Sequence, residues 1–205
     1  MKHPGAQRGF TLLELMIAFA IVGAMLAIGF GGFRVVLAAS TQGEDRAEAH
    51  QHLRGIALVL GRAVGAAYPY QAAAGEAPEI VVLFRGTTER LELVTQAPAV
   101  PTPIPVAFTA VVIGLDSEGD PALEVRQRLL PNRDPFGKAD LVLRDPTIHR
   151  LELAYLDATG AWQERWDGKD ENALPRAVRI TVSIRRNGWS EDTLSLTIPL
   201  RTVMP

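Results

Sequence analysis

Apolar residues fill the start of the chain without interruption and then recur at helical spacing. From Leu15 to Phe33, 19 residues carry no charge. A helix rises about 1.5 Å per residue, so this run covers most of a hydrocarbon core about 30 Å thick. Beyond Arg34 the apolar positions form a stripe of Leu53, Ile56, Leu60 and Val64. The pattern predicts one continuous helix from about Phe10 to Ala67, with a second half that packs on a sheet.

Strand patterns follow the helix. Tyr68 precedes a proline and so avoids the α region, which ends the helix. Ile80–Phe84 and Leu91–Val94 flank a turn, which predicts a hairpin. Val106–Leu115 and Leu123–Leu130 flank the sequence DSEGD and predict a second hairpin.

Three later segments alternate between apolar and polar positions, as half-buried antiparallel strands do. They are Leu151–Tyr155, Val178–Ile184 and Leu194–Ile198. The loop Gln96–Pro105 contains four prolines and is predicted to be extended. The fold class is therefore α+β, a long N-terminal helix packed on antiparallel β-sheet.

The polar start of the chain bears on how the apolar run is used. Lys2 and Arg8 precede it, which predicts a cytoplasmic N-terminus. A cleaved secretory signal has an apolar region of about 7–15 residues, shorter than this one. A plain signal anchor fits the length but leaves Glu14 unexplained, because an unpaired carboxylate deep in lipid costs several kcal/mol.

Residues 8–14, RGFTLLE, account for both the length of the apolar run and the presence of Glu14. They resemble the class III signal of type IV pilins and type II secretion pseudopilins. The resemblance implies that a prepilin peptidase cuts between Gly9 and Phe10 and then methylates the new amino terminus of Phe10. The similar proteins are inserted once in the bacterial inner membrane, with the C-terminal domain in the periplasm, and are later extracted into a fibre.

Glu14 would be the fifth residue of the processed chain. Phe10 and Glu14 are i and i+4, so they share a helix face. An α-amino group, with a reference pKa of about 7.7–8.0, could pair with the carboxylate of its own or of a neighbouring chain. The resemblance implies the neighbour, as an assembly charge pair, whereas the residues alone leave both open. A glutamate that only reaches the lipid headgroups is the remaining interpretation.

The segment 149–184 resembles the C-terminal region of the J-type minor pseudopilin of type II secretion. The likeness comprises an apolar strand, Trp162 after Gly160, a second tryptophan at Trp166, Leu174 before a proline, and an alternating strand. It implies a non-catalytic subunit that helps to initiate or form the pseudopilus tip. Its partners would be the prepilin peptidase, I-type and K-type minor pseudopilins, the pseudopilus and inner-membrane lipid.

Four segments follow from these interpretations. Residues 1–9 are a leader that is removed, 10–33 a transmembrane and assembly helix, 34–67 an amphipathic helix half, and 68–205 a periplasmic β-rich domain. Trp162 and Trp166 share a face if their segment is one strand, because four is an even spacing. Core packing explains such a pair, and contact with a partner subunit is the alternative.

Composition and motifs point away from enzymes and nucleic-acid binding. Cysteine is absent, the formal net charge is -2, and the sequence has no nucleophile elbow, phosphate loop or zinc motif. Asp116, Glu118 and Asp120 have the spacing of the start of a calcium loop. The twelfth position is Gln127 instead of glutamate, however, so a hairpin turn is preferred. We expect no cofactor and no resident metal.

Two alternatives of function stay open at this point. The leader motif does not separate a secretion pseudopilin from a minor pilin of a type IV pilus or DNA-uptake pseudopilus. A different class is a periplasmic ligand-binding protein anchored in the inner membrane. That class requires a deep pocket lined by polar groups.

Overall fold

The computed structural model describes residues 11–73, 80–102, 104–116, 120–184 and 192–201; within them, the side chains of 35–47, 49 and 73 are not described. The chain divides into two compact units, Met1–His52 and Leu53–Pro205. The proposed leader residues Gly9 and Phe10 and the calcium candidate Glu118 lie outside the described residues.

The predicted long helix is continuous. Helix α1 spans Leu12–Gly65, 54 residues. Within the second unit, its apolar stripe is buried, with Leu60 only 1% exposed and Val64 fully covered. Leu58, on another side of the same helix, is 68% exposed. In the part of the helix that lies in the second unit, one side is therefore buried and another is exposed.

The end of α1 leads directly into sheet pairing. The Tyr68 N–H donates to the Val94 carbonyl at 2.8 Å, and the Gln96 N–H donates to the Ala66 carbonyl at 3.0 Å. Ala67 forms an isolated antiparallel bridge with Thr95. These bonds fix the last helical turn to one strand before the chain continues.

In the described part of the chain, thirteen elements follow α1, namely twelve strands and one short helix. They are β1 Gln71–Ala73, β2 Ile80–Val82, β3 Phe84–Gly86, β4 Arg90–Thr95, β5 Thr109–Asp116, β6 Ala122–Leu129, β7 Asp140–Asp145, β8 Ile148–Leu156, β9 Trp162–Gln163, β10 Trp166–Asp167, α2 Gly168–Glu171, β11 Ala177–Ile184 and β12 Asp192–Pro199.

The strands of the described residues form three antiparallel sheets. The largest has the order β10-β3-β4-β5-β6-β7, the second β12-β11-β8-β9, and the smallest contains β1 and β2. The β3–β4 and β5–β6 hairpins confirm the two predicted ones. Strands β8, β11 and β12 confirm the three alternating segments, and the fold class is α+β as predicted.

Tyr155 joins the two larger sheets. It extends from β8, is fully buried, and donates from its hydroxyl to the Thr87 carbonyl at 2.9 Å. Its ring meets Phe84 edge-to-face, with centroids 6.2 Å apart. Gly86 lies directly beneath this ring, where an added Cβ would overlap it.

Three details differ from the sequence-based expectations. Ile80–Phe84 is not one strand, because the Leu83 N–H donates to the Tyr70 carbonyl and divides it into β2 and β3. Strand β7 was not predicted. Trp162 and Trp166 do not share a strand, since they lie in β9 and β10 of different sheets.

Candidate functional site

The start of α1 is closed by a reciprocal pair of side chains. Thr11 precedes the first helical residue, and its hydroxyl accepts from the Glu14 N–H at 3.3 Å. The Glu14 Oε2 accepts from the Thr11 N–H at 3.0 Å and from the Thr11 hydroxyl at 3.1 Å. This is a capping box, in which the first and fourth residues satisfy each other's backbone donors.

The capping box explains an acid at this position in local terms. A carboxylate in the first turn satisfies an otherwise unbonded N–H and interacts favourably with the positive end of the helix dipole. The signal was present in the sequence as Thr-x-x-Glu before an apolar run, and the interpretation of Glu14 as a charge partner alone missed it. Pairing of Glu14 with the amino group of Phe10 stays a prediction.

The helix surface beyond Glu14 is apolar on all sides. Leu12–Arg34, 23 residues, is the one stretch of the described chain long and apolar enough to cross a membrane, and none of it is buried. Side chains as large as Leu12, Phe19 and Ile28 are more than two thirds exposed. Positions Gly23 and Gly31 have nothing within 4 Å of where a Cβ would lie. This surface needs lipid or neighbouring helices to cover it.

The two tryptophans have different environments. Trp166 is 6% exposed, and its indole N–H donates to the Ala173 carbonyl at 2.9 Å. Packing within the domain accounts for this residue. Trp162 is half-buried at the edge of the four-stranded sheet, and the Arg179 guanidinium lies 3.9 Å from its ring centroid. Partner contact at these residues stays a prediction, and Trp162 presents the larger surface for it.

The calcium candidates have other contacts or are not described. Asp116 accepts a hydrogen bond from the Arg144 guanidinium at 3.4 Å. Asp120 is exposed. No three Asp, Glu or His side chains among the described residues are grouped so that they could hold a metal ion. Asp167, in the separate acidic segment of residues 167–172, caps α2 by accepting from the Lys169 N–H at 2.9 Å.

A buried carboxylate that the sequence did not reveal lies on β4. Glu92 is 5% exposed and accepts from Arg85 at 2.6 Å and from Arg90 at 2.9 Å. The hydrogen bond to Glu92 raises the pKa of the Arg85 guanidinium above its ordinary value. Two arginines compensate the buried charge, which would otherwise be costly. A charged residue in a strand is ordinarily predicted to face solvent, so the sequence did not predict that Glu92 is buried.

A groove beside this ion pair bears on the ligand-binding alternative. It has a volume of about 440 Å³ and runs between β2–β3 and the loop of residues 132–136. Val81, Leu83 and Phe136 make its apolar wall, and Arg85 and Lys169 are among its charged groups. The Arg85 guanidinium is already hydrogen-bonded to Glu92. This arginine is therefore engaged within the domain and is not a free group for a ligand.

Two family models match this chain, one over its N-terminal segment and one over most of the remainder. A family model described as Type II secretion system (T2SS), protein J, matches residues 31–196, most of the chain. A second, the prokaryotic N-terminal methylation motif, matches residues 5–30 and so includes Gly9, Phe10 and Glu14. A search of curated proteins gave no match. With a leader motif at one end and this model over the rest, the chain belongs to the protein J family of type II secretion, the minor pseudopilins.

Proposed function

We propose that this minor pseudopilin is cut between Gly9 and Phe10 by a prepilin peptidase, methylated at Phe10, and built by its helix into the secretion pseudopilus. The observation that carries the proposal is the methylation motif over residues 5–30 leading into an apolar helix whose side chains are uncovered. The chain acts as a structural subunit and has no catalytic role of its own.

Cleavage creates a positively charged amino group, which the capping box does not contain. Before the cut, residue 10 contributes an uncharged amide and Glu14 bonds to Thr11. After the cut, Phe10 carries an ammonium, and methylation keeps it able to do so. The amine and the carboxylate then offset each other's desolvation when the helix start enters the fibre or lipid. The neighbouring subunit is the proposed donor, because Glu14 Oε2 is already held by its own Thr11.

Charge at the N-terminal end of the apolar segment supports the proposed orientation. Lys2 and Arg8 remain in the cytoplasm, as the distribution of positive residues favours. The segment 10–33 spans the inner membrane once, and 34–67 continues as an amphipathic half. The β-rich domain, residues 68–205, then lies in the periplasm.

The tip of the pseudopilus is the proposed place of assembly, beside I-type and K-type minor pseudopilins. Interfaces are enriched in tryptophan and arginine. Trp162 and Arg179 form such a pair on the sheet surface, 3.9 Å apart. They are therefore the proposed partner contact on the four-stranded sheet.

Complementation tests this role. A strain that lacks the chain should retain its secreted proteins in the periplasm, and the full chain should restore their release. Copurification of I-type and K-type pseudopilins with the full chain, and its loss in Trp162→Ala but not Trp162→Phe, would support the tip contact. Normal secretion in the deletion strain, with pili or DNA uptake lost instead, would favour a pilus subunit.

A further inference from the structure

Strand β12 forms one edge of the four-stranded sheet, and its outer side is open. On its inner side β11 pairs with every residue from Asp192 to Pro199 without a register shift. In the described part of the chain, the order of this sheet places no strand beyond β12. Thr193, Ser195 and Thr197 are exposed, and the leucines between them are half-buried. A regular strand is therefore left without a neighbour on one side.

The hydrogen bonds of the sheet fix the direction in which the backbone of β12 points. On β8 the Leu153 N–H donates to the Thr88 carbonyl, on the side away from β11. Because backbone groups alternate between the two sides of a strand, Ala154 points toward β11 and bonds with Arg179 opposite it. The next residue of β11, Ile180, therefore points toward β12 and its partner there, Leu196.

Three residues of β12 consequently face outward. Leu196 points toward β11, and a bond near the end of the strand agrees, because the Leu200 N–H donates to the Arg176 carbonyl at 2.9 Å. By alternation, Thr193, Ser195 and Thr197 direct their N–H and carbonyl groups away from the sheet. A row of such unpaired groups is a template for another strand.

The features that usually protect an edge strand are missing between residues 193 and 197. Natural edges are protected by bulges, charged residues or prolines. Strand β7, an edge of the six-stranded sheet, has a register shift opposite Val125 and Arg126 and contains Arg144. Residues 193–197 have no charge, no proline and no register shift. This difference indicates that the edge of β12 is covered by a partner.

The sequence of this edge is complementary to itself. Residues 193–197 are Thr-Leu-Ser-Leu-Thr, which reads the same in both directions. In an antiparallel pair of two copies centred on Ser195, each residue lies opposite one of its own type. Hydroxyl side chains then meet on the exposed face and leucines on the other. The same kind of hydroxyl contact already joins β11 to β12, where the Thr181 and Ser195 hydroxyls are 3.1 Å apart.

We propose that β12 pairs with β12 of a second copy of this chain, antiparallel and centred on Ser195, so that two four-stranded sheets become one continuous sheet. The outward backbone groups of Thr193, Ser195 and Thr197 provide the hydrogen bonds. A two-fold axis through Ser195 relates the copies, and this symmetry is the commonest among homo-oligomers. The inference goes beyond the role in the pseudopilus, because it needs neither leader processing nor I-type and K-type partners.

Disulfide trapping tests the proposed register, because the natural chain has no cysteine. The full chain, purified in detergent, carries one cysteine and is oxidised mildly. Ser195→Cys should form a linked dimer, since opposite residues have Cα atoms about 5.5 Å apart, within the range of a disulfide. Thr193→Cys and Thr197→Cys should each crosslink at least about fivefold more slowly, because each lies roughly 14 Å along the strand from the same residue of the other copy.

A mixture of Thr193→Cys chains with Thr197→Cys chains is the matched positive case, because these positions face each other in the proposed register. The mixture should crosslink several-fold faster than either variant alone. Adding Ser195→Lys to both chains should suppress this crosslink, since like charges would then lie opposite each other. Ala158→Lys, at an exposed position of the β8–β9 turn, should leave it unchanged.

Three results would overturn the proposal. One is the absence of a Ser195→Cys dimer. Another is equal crosslinking by the three single-cysteine variants, because association of the helices in micelles would raise all three alike. The third comes from oxidation in bacterial membranes, where a Ser195→Cys crosslink to a different protein in place of a second copy would assign the edge of β12 to that protein.

Discussion

The Glu14 carboxylate accepts a hydrogen bond from the backbone N–H of Thr11 at 3.0 Å, and the Thr11 hydroxyl accepts one from the Glu14 N–H. The acid at the start of the membrane helix thus has a partner within its own turn. Thr11 satisfies hydrogen bonds of Glu14, but it is uncharged and does not neutralise the carboxylate. The two roles, cap and charge partner, can be separated because each depends on a different property of the side chain.

Glu14→Gln should preserve the cap and remove the charge. Glutamine serves in a capping box as glutamate does, so helix content and membrane insertion should remain as in the parent. Recruitment into the pseudopilus, measured by copurification with the other pseudopilins after crosslinking, should fall at least about tenfold if the charge pair contributes about 1.4 kcal/mol or more. Glu48→Gln, an exposed position of the same helix, is the control.

Thr11→Val should have the opposite profile. It removes the hydroxyl from the cap, at a cost of about 1 kcal/mol in local helix stability, and leaves the carboxylate charged. Recruitment should therefore stay close to that of the parent. Equal losses in Glu14→Gln and Thr11→Val would mean that capping, and not charge, is what assembly requires of Glu14.

Two threonines directly opposite each other on β4 and β5 should respond differently to the same substitution. Thr95 and Thr109 are paired in register and are both buried. The Thr95 hydroxyl donates to the Ala97 carbonyl at 3.2 Å and accepts from the Ala97 N–H at 3.1 Å. The Thr109 hydroxyl is buried without a partner among the described residues.

Thr95→Val should lower the free energy of unfolding by about 1–2 kcal/mol, because the N–H and the carbonyl of Ala97 lose their hydrogen-bond partner. Thr109→Val should leave it unchanged or raise it by up to about 1 kcal/mol, because burying an unbonded hydroxyl is itself unfavourable. Denaturant unfolding of the two variants checks this. A larger loss in Thr109→Val than in Thr95→Val would contradict the assigned bonding.

Gly86→Ala should destabilise the junction between the two larger sheets. The added methyl group would overlap the buried ring of Tyr155, and overpacking of this kind costs about 1–3 kcal/mol. Tyr155→Phe in the same chain should not rescue it, since the ring itself is the obstacle. Gly61→Ala, where the Cβ meets nothing within 4 Å, should instead stabilise helix α1 by up to about 1 kcal/mol. Thermal unfolding checks this, because the Tm should fall in Gly86→Ala and rise in Gly61→Ala.

The β8–β9 turn should weaken in acid. The Asp157 carboxylate accepts from the Thr159 hydroxyl, the Gln163 amide and the Ala161 N–H, and these bonds hold its pKa well below the ordinary 3.8. Because the pKa is depressed by folding, the contribution is complete above about pH 3.8 and is lost as pH falls below it. The Ala161 amide shift should follow this titration by NMR. A midpoint at or above 3.8 would refute the bonding, and Asp157→Asn should abolish the titration.

The sequence was sufficient for features that depend on local periodicity. The apolar stripe through Leu60 predicted a helix with one buried side, and the alternation along Val178–Ile184 predicted a strand. Both elements are present at these positions. The N-terminal methylation motif is equally local. The capping box is local too, and its Thr-x-x-Glu signal was present in the sequence although it was not interpreted as a cap.

Apart from the capping box, the features that were missed depend on pairing between distant segments. Strand β7 has a consecutive apolar run and a register shift opposite Val125 and Arg126, so it lacks a clean period of two. Trp162 and Trp166 are separated because Trp162 pairs with Leu156 on β8, whereas Trp166 pairs with Gly86 on β3. The burial of Glu92 likewise needs arginines from two neighbouring positions of the folded hairpin. No spacing along the chain contains that information.

The central claim is that Glu14 becomes the fifth residue of a processed chain whose first residue supplies the cation. Intact mass spectrometry of the full chain, coexpressed with a prepilin peptidase and recovered from the membrane, tests it most directly. The account predicts a mature chain that begins at Phe10 and carries one additional methyl group on its amino terminus. A chain that still begins at Met1 in the presence of active peptidase, or one cut after the apolar run as a secretory signal would be, would contradict it.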